Sequence, residues 1–592
     1  MNKRNFSVRA GLLALGTLFM LSAHAQDNLP PPPPPIGPNG AGPQLIAPPA
    51  ASPNLNPNAV VQTPQTAAGP TLIFVDAAAK RHAISPLIYG VNFASASQLK
   101  ALNFTLNRQG GNNYTRYNWQ ANTLNIDNDY FFESLPGEAY GYPNSLVPGE
   151  RADSFIAATH SAGAQPMITI PMLGWVAKVV SPSKNLASFS VAKYGPQQKT
   201  DPQRPDAGNG IKLDGKLITG NDPNDASQPA DPKFQQAWIN HLIGKWGKAS
   251  QGGVRYYLLD NEPGLWHSTH QDVHPVGVKY AEYLQDVVSY TSMIKALDPN
   301  AQTLGPEEWG YTAIAQSGFD QQYAGAHNYQ GHPDKDANGG LDFMPYLLTR
   351  LHQRDMQTKQ RLLDVFTFHI YPQGIDGGGG ANDVSPRIQT VRNRSTRSLW
   401  DPNYTDESWI KNKIMLIPRL RSLVNTYYPG TKIGITEYSW GAENFIGGAT
   451  AQADILGIFG REGLDLAARW TTPDAATPTF KAMQMYRNYD GKNSAFGSVS
   501  VSDTVPDSDT LSSFASVRRS DGALTVMVIN KSLTSPTPVS LSVSHFGGTT
   551  ASVWQLTSAN TIAHLPNTAL RGGRVSATLP AQSVTLFVVA AR

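Results

Sequence analysis

The sequence predicts an α/β protein: a (β/α)8 TIM barrel with a β-sandwich domain built from the C-terminus plus an N-terminal strand. Eight short apolar runs alternate with amphipathic stretches between residues 84 and 475, which is typical of βα repetition. Later in the chain, short alternating runs are separated by frequent turn residues, which indicates a sandwich. Thr71–Asp76 reads as a strand with no helix partner of its own.

Composition limits the classes of function. A chain of 592 residues is too long for one ordinary domain, so we expect two domains plus extensions. There are no cysteines, which excludes disulfides, Cys-based zinc sites and a cysteine nucleophile. A net charge of +3 argues against a nucleic-acid partner.

Residues 1–25 are predicted to be a signal peptide. They combine three basic residues, a short apolar run and a small-x-small cleavage pattern: Lys3, Arg4, Arg9, Gly11–Leu21 and Ala23–Ala25. The apolar run is too short for a comfortable membrane span, and nothing later approaches one. We therefore expect a secreted or periplasmic protein without a membrane span.

Residues 26–70 are Pro-rich and include six consecutive prolines from Pro30 to Pro35. This composition predicts a disordered, extended tether.

Barrel strands are predicted at Ile88–Phe93, Phe104–Arg108, Pro166–Pro171, Tyr256–Asp260, Thr303–Gly305, Val365–Ile370, Ile433–Thr436 and Leu464–Arg469. Helical periodicity is clearest at Phe234–Lys248 and Val276–Leu297. A doubly wound open sheet is the alternative, but the chain has no dinucleotide fingerprint. Gly377–Gly380 is predicted to be a mobile loop. The polar insertions Pro182–Asp231 and Gln373–Asn403 are either cleft walls or disordered excursions.

The sandwich is predicted from the N-terminal segment 71–83 and residues 476–592, and the barrel from residues 84–475. A last helix at Phe480–Tyr489 precedes the sandwich strands. These strands are predicted at Ser513–Arg518, Leu524–Asn530, Val539–Val543 and Val584–Val589.

Two predicted barrel strands end in glutamates. Glu262 follows the fourth strand and Glu437 the seventh, so the two side chains can converge over the barrel mouth, where such barrels place their chemistry. A single glutamate at a strand end commonly forms a salt bridge or caps a loop. Two that face each other supply what glycoside hydrolysis needs, a proton donor and a nucleophile or base.

Three motifs resemble those of glycoside hydrolase family 44. They are Asp260-Asn-Glu-Pro-Gly-Leu-Trp266 with His270-Gln-Asp-Val-His-Pro275, Thr436-Glu-Tyr-Ser-Trp-Gly441, and Arg108-Gln-Gly-Gly-Asn112 with Thr115-Arg-Tyr-Asn-Trp119. The resemblance runs from Thr71 to Arg592. It implies a retaining endo-β-1,4-glucanase that often accepts xyloglucan. Gln109 stands where tryptophan is expected, so substrate preference carries over less well than mechanism.

The resemblance implies that Glu262 is the acid/base and Glu437 the nucleophile, with Asn261 bonding the 2-hydroxyl of the reacting sugar. Tyr371 and Arg108 are candidates for the donors that keep Glu437 ionised. A retaining mechanism predicts carboxyl groups about 5–5.5 Å apart.

Further substrate-binding residues are predicted near the strand ends, where flat aromatic faces can stack on sugars. The aromatic candidates are Trp119, Trp175, Trp266, Trp309, Tyr438, Trp440 and Trp470, with Trp440 and Trp266 favoured because they follow the two acids most closely. The polar candidates are Asn112, His369 and Arg469. For each, a place in the core or in a salt bridge is the alternative.

Two other groups could carry chemistry. His267, His270 and His274 with Asp272 could suggest a metal site, although their spacing also suits loop packing. Glu307 and Glu308 end the fifth strand and could compete as catalytic acid, but a cleft-lining role is favoured.

Acids such as Asp127 or Asp129 could hold a structural calcium ion, but no calcium-loop motif surrounds them. We predict no metal and no cofactor.

The leading hypothesis is a secreted hydrolase of a β-1,4-glucan, with that polysaccharide as its partner, and we expect a monomer. A second hypothesis is hydrolysis of another β-1,4-glycan, mannan or xylan. A third is a non-catalytic cell-surface glycan-binding protein, against which the presence of both carboxylates counts.

Overall fold

The computed structural model describes residues 69–135, 147–180, 184–375 and 381–591. The predicted signal peptide, the tether up to residue 68 and the Gly377–Gly380 loop lie outside the described residues. Among the described helices, none is long and apolar enough to cross a membrane.

Within the described residues, fifteen strands come before residue 499. In chain order they are β1 (Thr71–Asp76), β2 (His82–Ala83), β3 (Gly90–Asn92), β4 (Leu106–Gln109), β5 (Leu124–Asn125), β6 (Glu133–Leu135), β7 (Gln165–Ile170), β8 (Trp175–Ala177), β9 (Leu186–Ala187), β10 (Ser227–Pro229), β11 (Tyr256–Leu259), β12 (Gln302–Glu308), β13 (Val365–Ile370), β14 (Lys432–Tyr438) and β15 (Leu466–Ala467).

Eight of these strands form a parallel sheet in the order β15-β14-β13-β12-β11-β7-β4-β3. The Asn92 amide donates to the Arg469 carbonyl at 2.9 Å, and the Arg469 amide donates to Gly90 at 3.0 Å, which joins β3 to the chain just after β15. A Cβ on Gly90 would lie 2.3 Å from the Ala467 carbonyl oxygen, so this close approach requires glycine. The predicted barrel is confirmed, and the open doubly wound sheet is wrong.

The described helices surround the barrel strands. They are Ala96–Leu102, Asn112–Thr115, Glu150–Ser161, Val191–Tyr194, Pro232–Trp246, Trp266–Thr269, Tyr280–Leu297, Gly318–Ala326, Pro333–Ala337, Phe343–Thr358, Pro386–Ser395, Leu416–Tyr427, Ile446–Arg461 and Pro478–Arg487. Short 3-10 helices occur at Pro86–Ile88, Asp127–Asp129, Pro223–Asp225, Ala249–Gln251, Pro263–Leu265, Tyr311–Ile314 and Thr396–Leu399. The helix predicted from residue 234 begins at Pro232, because Asp231 caps it and proline suits its first turn.

Alternation along the strands separates the barrel interior from the helix layer. Tyr256 and Leu258 belong to a buried cluster contributed by β4, β7, β11–β13 and β15, whereas Tyr257 and Leu259 belong to the larger cluster that includes the helices. This period of two is the strand signature read from the sequence.

Two β-bulges interrupt this alternation near the carboxyl ends of the strands. Between β13 and β14 the register shifts so that Phe368 pairs with Ile435, but His369 pairs with Glu437. A similar shift between Pro306 and Glu308 affects β12. A bulge inserts one residue and re-aims the side chains that follow it, so both shifts change which residues point into the barrel mouth.

The C-terminal strands are β16 (Val499–Thr504), β17 (Leu511–Val517), β18 (Leu524–Asn530), β19 (Thr537–Ser544), β20 (Thr550–Leu556), β21 (Ile562–Ala569), β22 (Arg574–Leu579) and β23 (Ser583–Val589). They join the N-terminal strands in the order β21-β20-β23-β18-β17-β16-β1-β19-β22, with β2 beside β16. Strand β1 lies antiparallel to β16 and parallel to β19. The prediction that an N-terminal strand joins this domain is confirmed.

A buried ion pair joins the barrel to the C-terminal sheet. The Lys531 ammonium lies 2.7 Å from the Asp454 carboxylate, and both side chains are 1% exposed. Lys531 follows β18, and Asp454 lies in helix Ile446–Arg461. The two domains therefore share a packed interface.

Candidate active site

Glu262 and Glu437 meet at the carboxyl end of the barrel. Glu262 follows β11, and Glu437 lies near the end of β14. Their exposed fractions are only 2% and 4%. One carboxylate oxygen of each and one ring nitrogen of His369 all lie within 4.8 Å of one another. This spacing suits the short carboxyl separation of retaining glycosidases better than the roughly 6.5–9.5 Å of inverting ones.

Glu437 is held by two donors. Arg108 Nη1 donates to Oε1 at 2.7 Å, and the Tyr371 hydroxyl donates to Oε2 at 2.8 Å. These are the two donors that the sequence singles out. Charge-assisted bonds of this length are strong, so they fix the orientation of the Glu437 carboxylate.

Glu262 has a different environment. Its φ is +44°, a left-handed conformation that is unusual outside glycine. Burial raises the pKa of Glu262, the nearby negative charge of Glu437 adds to this effect, and the bond to His369 partly opposes it. A carboxyl group that retains its proton can act as a general acid.

His369 lies between the two glutamates. Its Nδ1 is 2.8 Å from Glu262 Oε1 and 3.5 Å from Glu437 Oε2. Burial opposes protonation of His369, but the charge of Glu437 and the bonds to Glu262 and Glu307 raise its pKa to about 9. His369 is therefore an imidazolium at neutral pH, with both ring nitrogens carrying hydrogens.

A chain of hydrogen bonds fixes the amide of Asn261. Arg108 Nη2 donates to Asn261 Oδ1 at 3.1 Å, and Asn261 Nδ2 donates to Asn112 Oδ1 at 3.0 Å. Asn112 Nδ2 in turn donates to Asp129 Oδ1 at 3.3 Å. Since Asn261 can donate one further hydrogen, it is set to bond a substrate hydroxyl beside Glu262.

A small pocket opens beside Tyr371. Its walls include Trp309 and two residues absent from the predicted set, Tyr311 and Trp409. Trp309 and Trp409 are anchored by bonds from their indole nitrogens to Gln321 and Gln373. Trp409 lies in the long segment that follows β13. The sequence signal that points to it is an aromatic residue in a polar stretch.

Trp470 lies in a different sector of the mouth, after β15. It is partly exposed and packs edge-on against Phe93, with ring centroids 5.6 Å apart. A Cβ on Gly111 would lie 2.5 Å from the Trp470 ring, so glycine at this position leaves room for the indole. Trp175, in β8, is also partly exposed. Both remain candidates for sugar contacts.

Three predicted aromatic contacts are wrong, because the side chains are buried. Trp266 is 1% exposed, and its indole donates to the Asn261 carbonyl at 2.9 Å. Tyr438 is fully buried and accepts from Gln452 at 3.1 Å, because the residue after Glu437 points into the helix layer. Trp440 borders the pocket but is only 2% exposed, so it cannot offer a sugar a full ring face.

Two further predicted contacts are engaged elsewhere. Trp119 stacks on Trp238 with centroids 5.7 Å apart and donates to the Phe234 carbonyl, so it packs on helix Pro232–Trp246. Arg469 is 1% exposed and bonds Gln452 and Glu443. Arg469 therefore anchors the loop after β14 instead of contacting substrate.

The loop that carries His267, His270 and His274 also carries Asp272, which accepts hydrogen bonds from other segments. Asp272 accepts two bonds from Arg116 at 3.0 and 3.1 Å. It also accepts from Ser188, which belongs to the insertion predicted at residues 182–231. The described part of that insertion thus packs on the loop after β11, at the carboxyl end of the barrel.

We expect Trp470→Ala to weaken substrate binding. Burying a large apolar face contributes about 1.5–3 kcal/mol, so kcat/KM on soluble glucan should fall roughly 10- to 100-fold, mainly through KM. Trp554 in β20 is a matched control, since its ring is covered by Tyr489 and His564. Trp554→Ala should lower thermal stability and leave KM unchanged. If Trp470→Ala and Trp554→Ala had equal KM values, Trp470 would not contact the substrate.

A parallel (β/α)8 barrel with two facing glutamates at the ends of its fourth and seventh strands defines the class of barrel glycoside hydrolases. Residues 123–374 match glycoside hydrolase family 44. The xyloglucanase of that family from Paenibacillus polymyxa, solved with xyloglucan, is 31% identical, with a TM-score of 0.72 over 88% of this chain and 100% of that one. The chain belongs to glycoside hydrolase family 44.

Other relatives are similar over most of this chain. The crystal structure of CelM2, a bifunctional glucanase-xylanase from a metagenome library, is 55% identical, with a TM-score of 0.86 over 88% of this chain and 99% of that one. Endoglucanase A of Paenibacillus lautus is 33% identical over 79% of this chain. A β-mannanase/endoglucanase A of Caldicellulosiruptor saccharolyticus is 31% identical over 78%. The chain spans 65% and 34% of the length of these last two proteins.

Proposed function

We propose that this protein is a secreted, retaining, endo-acting hydrolase of β-1,4-glucans, either cellulose-type glucan or xyloglucan. The observation that carries the proposal is the pair of facing glutamates with opposite environments. Glu437 is held as an anion by Arg108 and Tyr371, whereas burial favours the protonated form of Glu262. This difference assigns the roles of nucleophile and general acid.

In the first step, a Glu437 carboxylate oxygen attacks the anomeric carbon as Glu262 gives its proton to the departing glycosidic oxygen. Because His369 Nδ1 donates to Glu262 Oε1, the transferable proton is left on Oε2. The product is a covalent glycosyl ester on Glu437 and a released chain end.

In the second step, ionised Glu262 takes a proton from water, and the water oxygen attacks the anomeric carbon from the face opposite the ester, breaking the ester bond and releasing the Glu437 carboxylate. Two inversions give net retention. Asn261, oriented by Arg108 and Asn112, bonds the sugar 2-hydroxyl, a contact that strengthens as charge develops on the ring.

Endo action is supported by the distribution of aromatic side chains. Trp309, Tyr311 and Trp409 border the pocket beside β12 and β13, whereas Trp470 follows β15. Sugar platforms in two separate sectors of the mouth suit a chain that extends past the reacting glycosidic bond in both directions.

Xylan is a second candidate substrate, because the CelM2 relative is described as a bifunctional glucanase-xylanase and is similar over nearly its whole length. Mannan has weaker support, since this chain spans only 34% of the relative named a β-mannanase/endoglucanase. The third candidate is a non-catalytic glycan-binding protein. Such a protein would not need the hydrogen-bond donors that surround both carboxylates.

The remaining parts of the proposal rest on sequence patterns. Secretion or periplasmic export rests on residues 1–25, and the proposed boundaries place the barrel at 84–475 and the sandwich at 71–83 plus 476–592. We propose that the enzyme is a monomer and works without a metal or cofactor. Arg108 and protonated His369 already supply two positive charges beside the glutamates.

Proton NMR of the first product tests the mechanism. During hydrolysis of a soluble β-glucan, the newly formed reducing end should appear first as the β-anomer, followed by slower mutarotation. Initial α-anomer would exclude retention. Falling viscosity of carboxymethyl cellulose ahead of reducing-end release would indicate endo cleavage, and parallel assays on xyloglucan, xylan and mannan would rank the substrates.

A further inference from the structure

Glu307 occupies an unusual backbone position. It is the residue skipped by the register shift between β12 and β13, and its φ is +59°. Strained positions of this kind persist where the surrounding structure requires them, often at functional sites. The side chain is fully buried, so the prediction that Glu307 lines the cleft is wrong.

The Glu307 carboxylate contacts the residues that hold the two catalytic glutamates. Its Oε2 lies 3.1 Å from Arg108 Nη2 and 3.4 Å from His369 Nε2. Thr367 donates to its Oε1. Arg108 and His369 therefore each lie between Glu307 and one or both of Glu262 and Glu437.

Charge balance follows from these contacts. With Glu262 protonated, the buried cluster holds two anions, Glu307 and Glu437, and two cations, Arg108 and His369. Burial alone would raise the pKa of Glu307, but Arg108 and the bond and charge of His369 hold it below its usual range. Without Glu307 the cluster would carry an uncompensated buried positive charge, which is costly.

We propose that Glu307 is a positioning residue, whose fixed negative charge keeps His369 as an imidazolium between the catalytic glutamates and holds the Arg108 guanidinium against Glu437. The inference deepens the proposed function and rests on it for the roles of Glu262 and Glu437. Glu307 itself touches neither the sugar nor the reacting atoms.

Other ionisable groups near the cluster have separate roles. Burial and the charge of Glu262 raise the pKa of Glu308 to about 8, so Glu308 is largely neutral near pH 6, and it accepts from the Gly264 amide. Burial, together with the charges of Glu262 and Glu437, raises the pKa of Asp129 to about 7 against the bonds from Asn112 and Asn113.

Asp260 and Tyr371 are two further ionisable groups near the cluster. Burial raises the pKa of Asp260 to about 7, and burial with the charge of Glu437 raises that of Tyr371 well above its usual range. Among the ionisable groups named here, Glu307 is the one whose carboxylate pairs with both Arg108 and His369.

The test is Glu307→Gln, measured by the titration of His369. In the protein labelled with ¹⁵N-histidine, His369 is assigned by comparison with His369→Asn. Loss of an opposite charge this close lowers a pKa by roughly 1–3 units, so we expect His369 to titrate at correspondingly lower pH in Glu307→Gln. This readout does not depend on glycosidase activity, so it stands even if the proposed function fails.

Activity provides the second readout. The alkaline limb of kcat/KM should move to lower pH by about one unit or more in Glu307→Gln, following His369. Glu307→Asp restores the charge on a shorter side chain, so it should recover most of the wild-type pH profile at reduced kcat. If Glu307→Gln does not fold, Glu307→Asp still tests the proposal. In that variant His369 must titrate as it does in wild type.

Glu308→Gln is the matched control. It makes the same chemical change at an adjacent, equally buried position. Since Glu308 is largely protonated near pH 6, this variant should leave the His369 titration and the lower part of the pH profile unchanged. The proposal is overturned if His369 titrates as in wild type in Glu307→Gln, or if Glu307→Asp and Glu308→Gln lower the pKa of His369 as much as Glu307→Gln does.

Discussion

Glu437→Gln should eliminate turnover, with rates on carboxymethyl cellulose and xyloglucan falling on the order of 10⁴-fold or more, as expected when a nucleophile is removed. Glutamine preserves the size of the side chain and can still accept from Arg108 or Tyr371, but its amide cannot form the glycosyl ester. The loss should therefore appear in kcat, with the thermal midpoint little changed.

Glu462→Gln is a suitable control for this variant. Glu462 pairs with Arg461 at 2.8 Å at the end of helix Ile446–Arg461, away from the strand ends that carry the site. Partly exposed ion pairs of this kind contribute little to stability, so its activity should match wild type. Hydrolysis that survives Glu437→Gln at more than about one hundredth of the wild-type rate would exclude Glu437 as the nucleophile.

Glu262→Gln should have a large effect that depends on the leaving group. On polysaccharide, loss of the proton donor should lower kcat about 10²- to 10⁴-fold. A 2,4-dinitrophenyl β-cellobioside needs no proton to depart, so the first step should stay near the wild-type rate and the glycosyl-enzyme should accumulate. A burst of dinitrophenol followed by slow turnover is the measurement.

The pH profile checks the same assignment. Because burial raises the pKa of Glu262, its acid form persists to higher pH than that of an ordinary glutamate, and activity is lost as pH rises through this pKa. The part of the alkaline limb that reports Glu262 should disappear from the burst rate of Glu262→Gln, leaving the part that reports His369. A burst rate reduced as strongly as polysaccharide hydrolysis would contradict the general-acid role.

Azide separates the two roles by stereochemistry. In Glu437→Ala, azide can take the place of the nucleophile and displace dinitrophenol in one inverting step, giving the α-glycosyl azide. In Glu262→Ala, azide attacks the glycosyl-enzyme and gives the β-azide. The opposite pairing of products would exchange the assignments of Glu262 and Glu437.

The architecture and the glutamate pair could be predicted because both are written in local patterns. Apolar runs of four to seven residues mark buried parallel strands, as at Tyr256–Leu259 and Val365–Ile370. Glu262 and Glu437 follow such runs directly, and the carboxyl ends of parallel strands meet at one end of a barrel. Tyr371 and Arg108 follow from the same reasoning.

The errors share a physical cause, which is side-chain direction. Ile433 and Ile435 point into the helix layer, so strict alternation would point Glu437 there too. The bulge next to Thr436 reverses this, turning Glu437 inward and Tyr438 outward. The bulge depends on the register between strands that are far apart in the chain. A local sequence pattern does not determine that register. The register shift at Pro306 and Glu308 has the same effect on Glu307.

Nearness to a catalytic residue in the sequence was also a poor guide to sugar contacts. Trp266 follows Glu262 closely, yet its ring is enclosed by the short helix that begins there. Trp409 lies far from either glutamate in the sequence and reaches the pocket because a long loop folds back over the barrel.

Strand β1 also affects the order in which the protein can be completed. It is synthesised before the barrel, but its neighbours β16 and β19 are synthesised after the barrel. Until they emerge, Ile73 and Val75, which are buried in the finished sheet, have no partner strands. In the nascent chain, this segment must therefore stay unpaired until β16 and β19 have been synthesised. A chain truncated before β16 would leave β1 without its partner strands. This unpaired strand should make the truncated protein prone to aggregation.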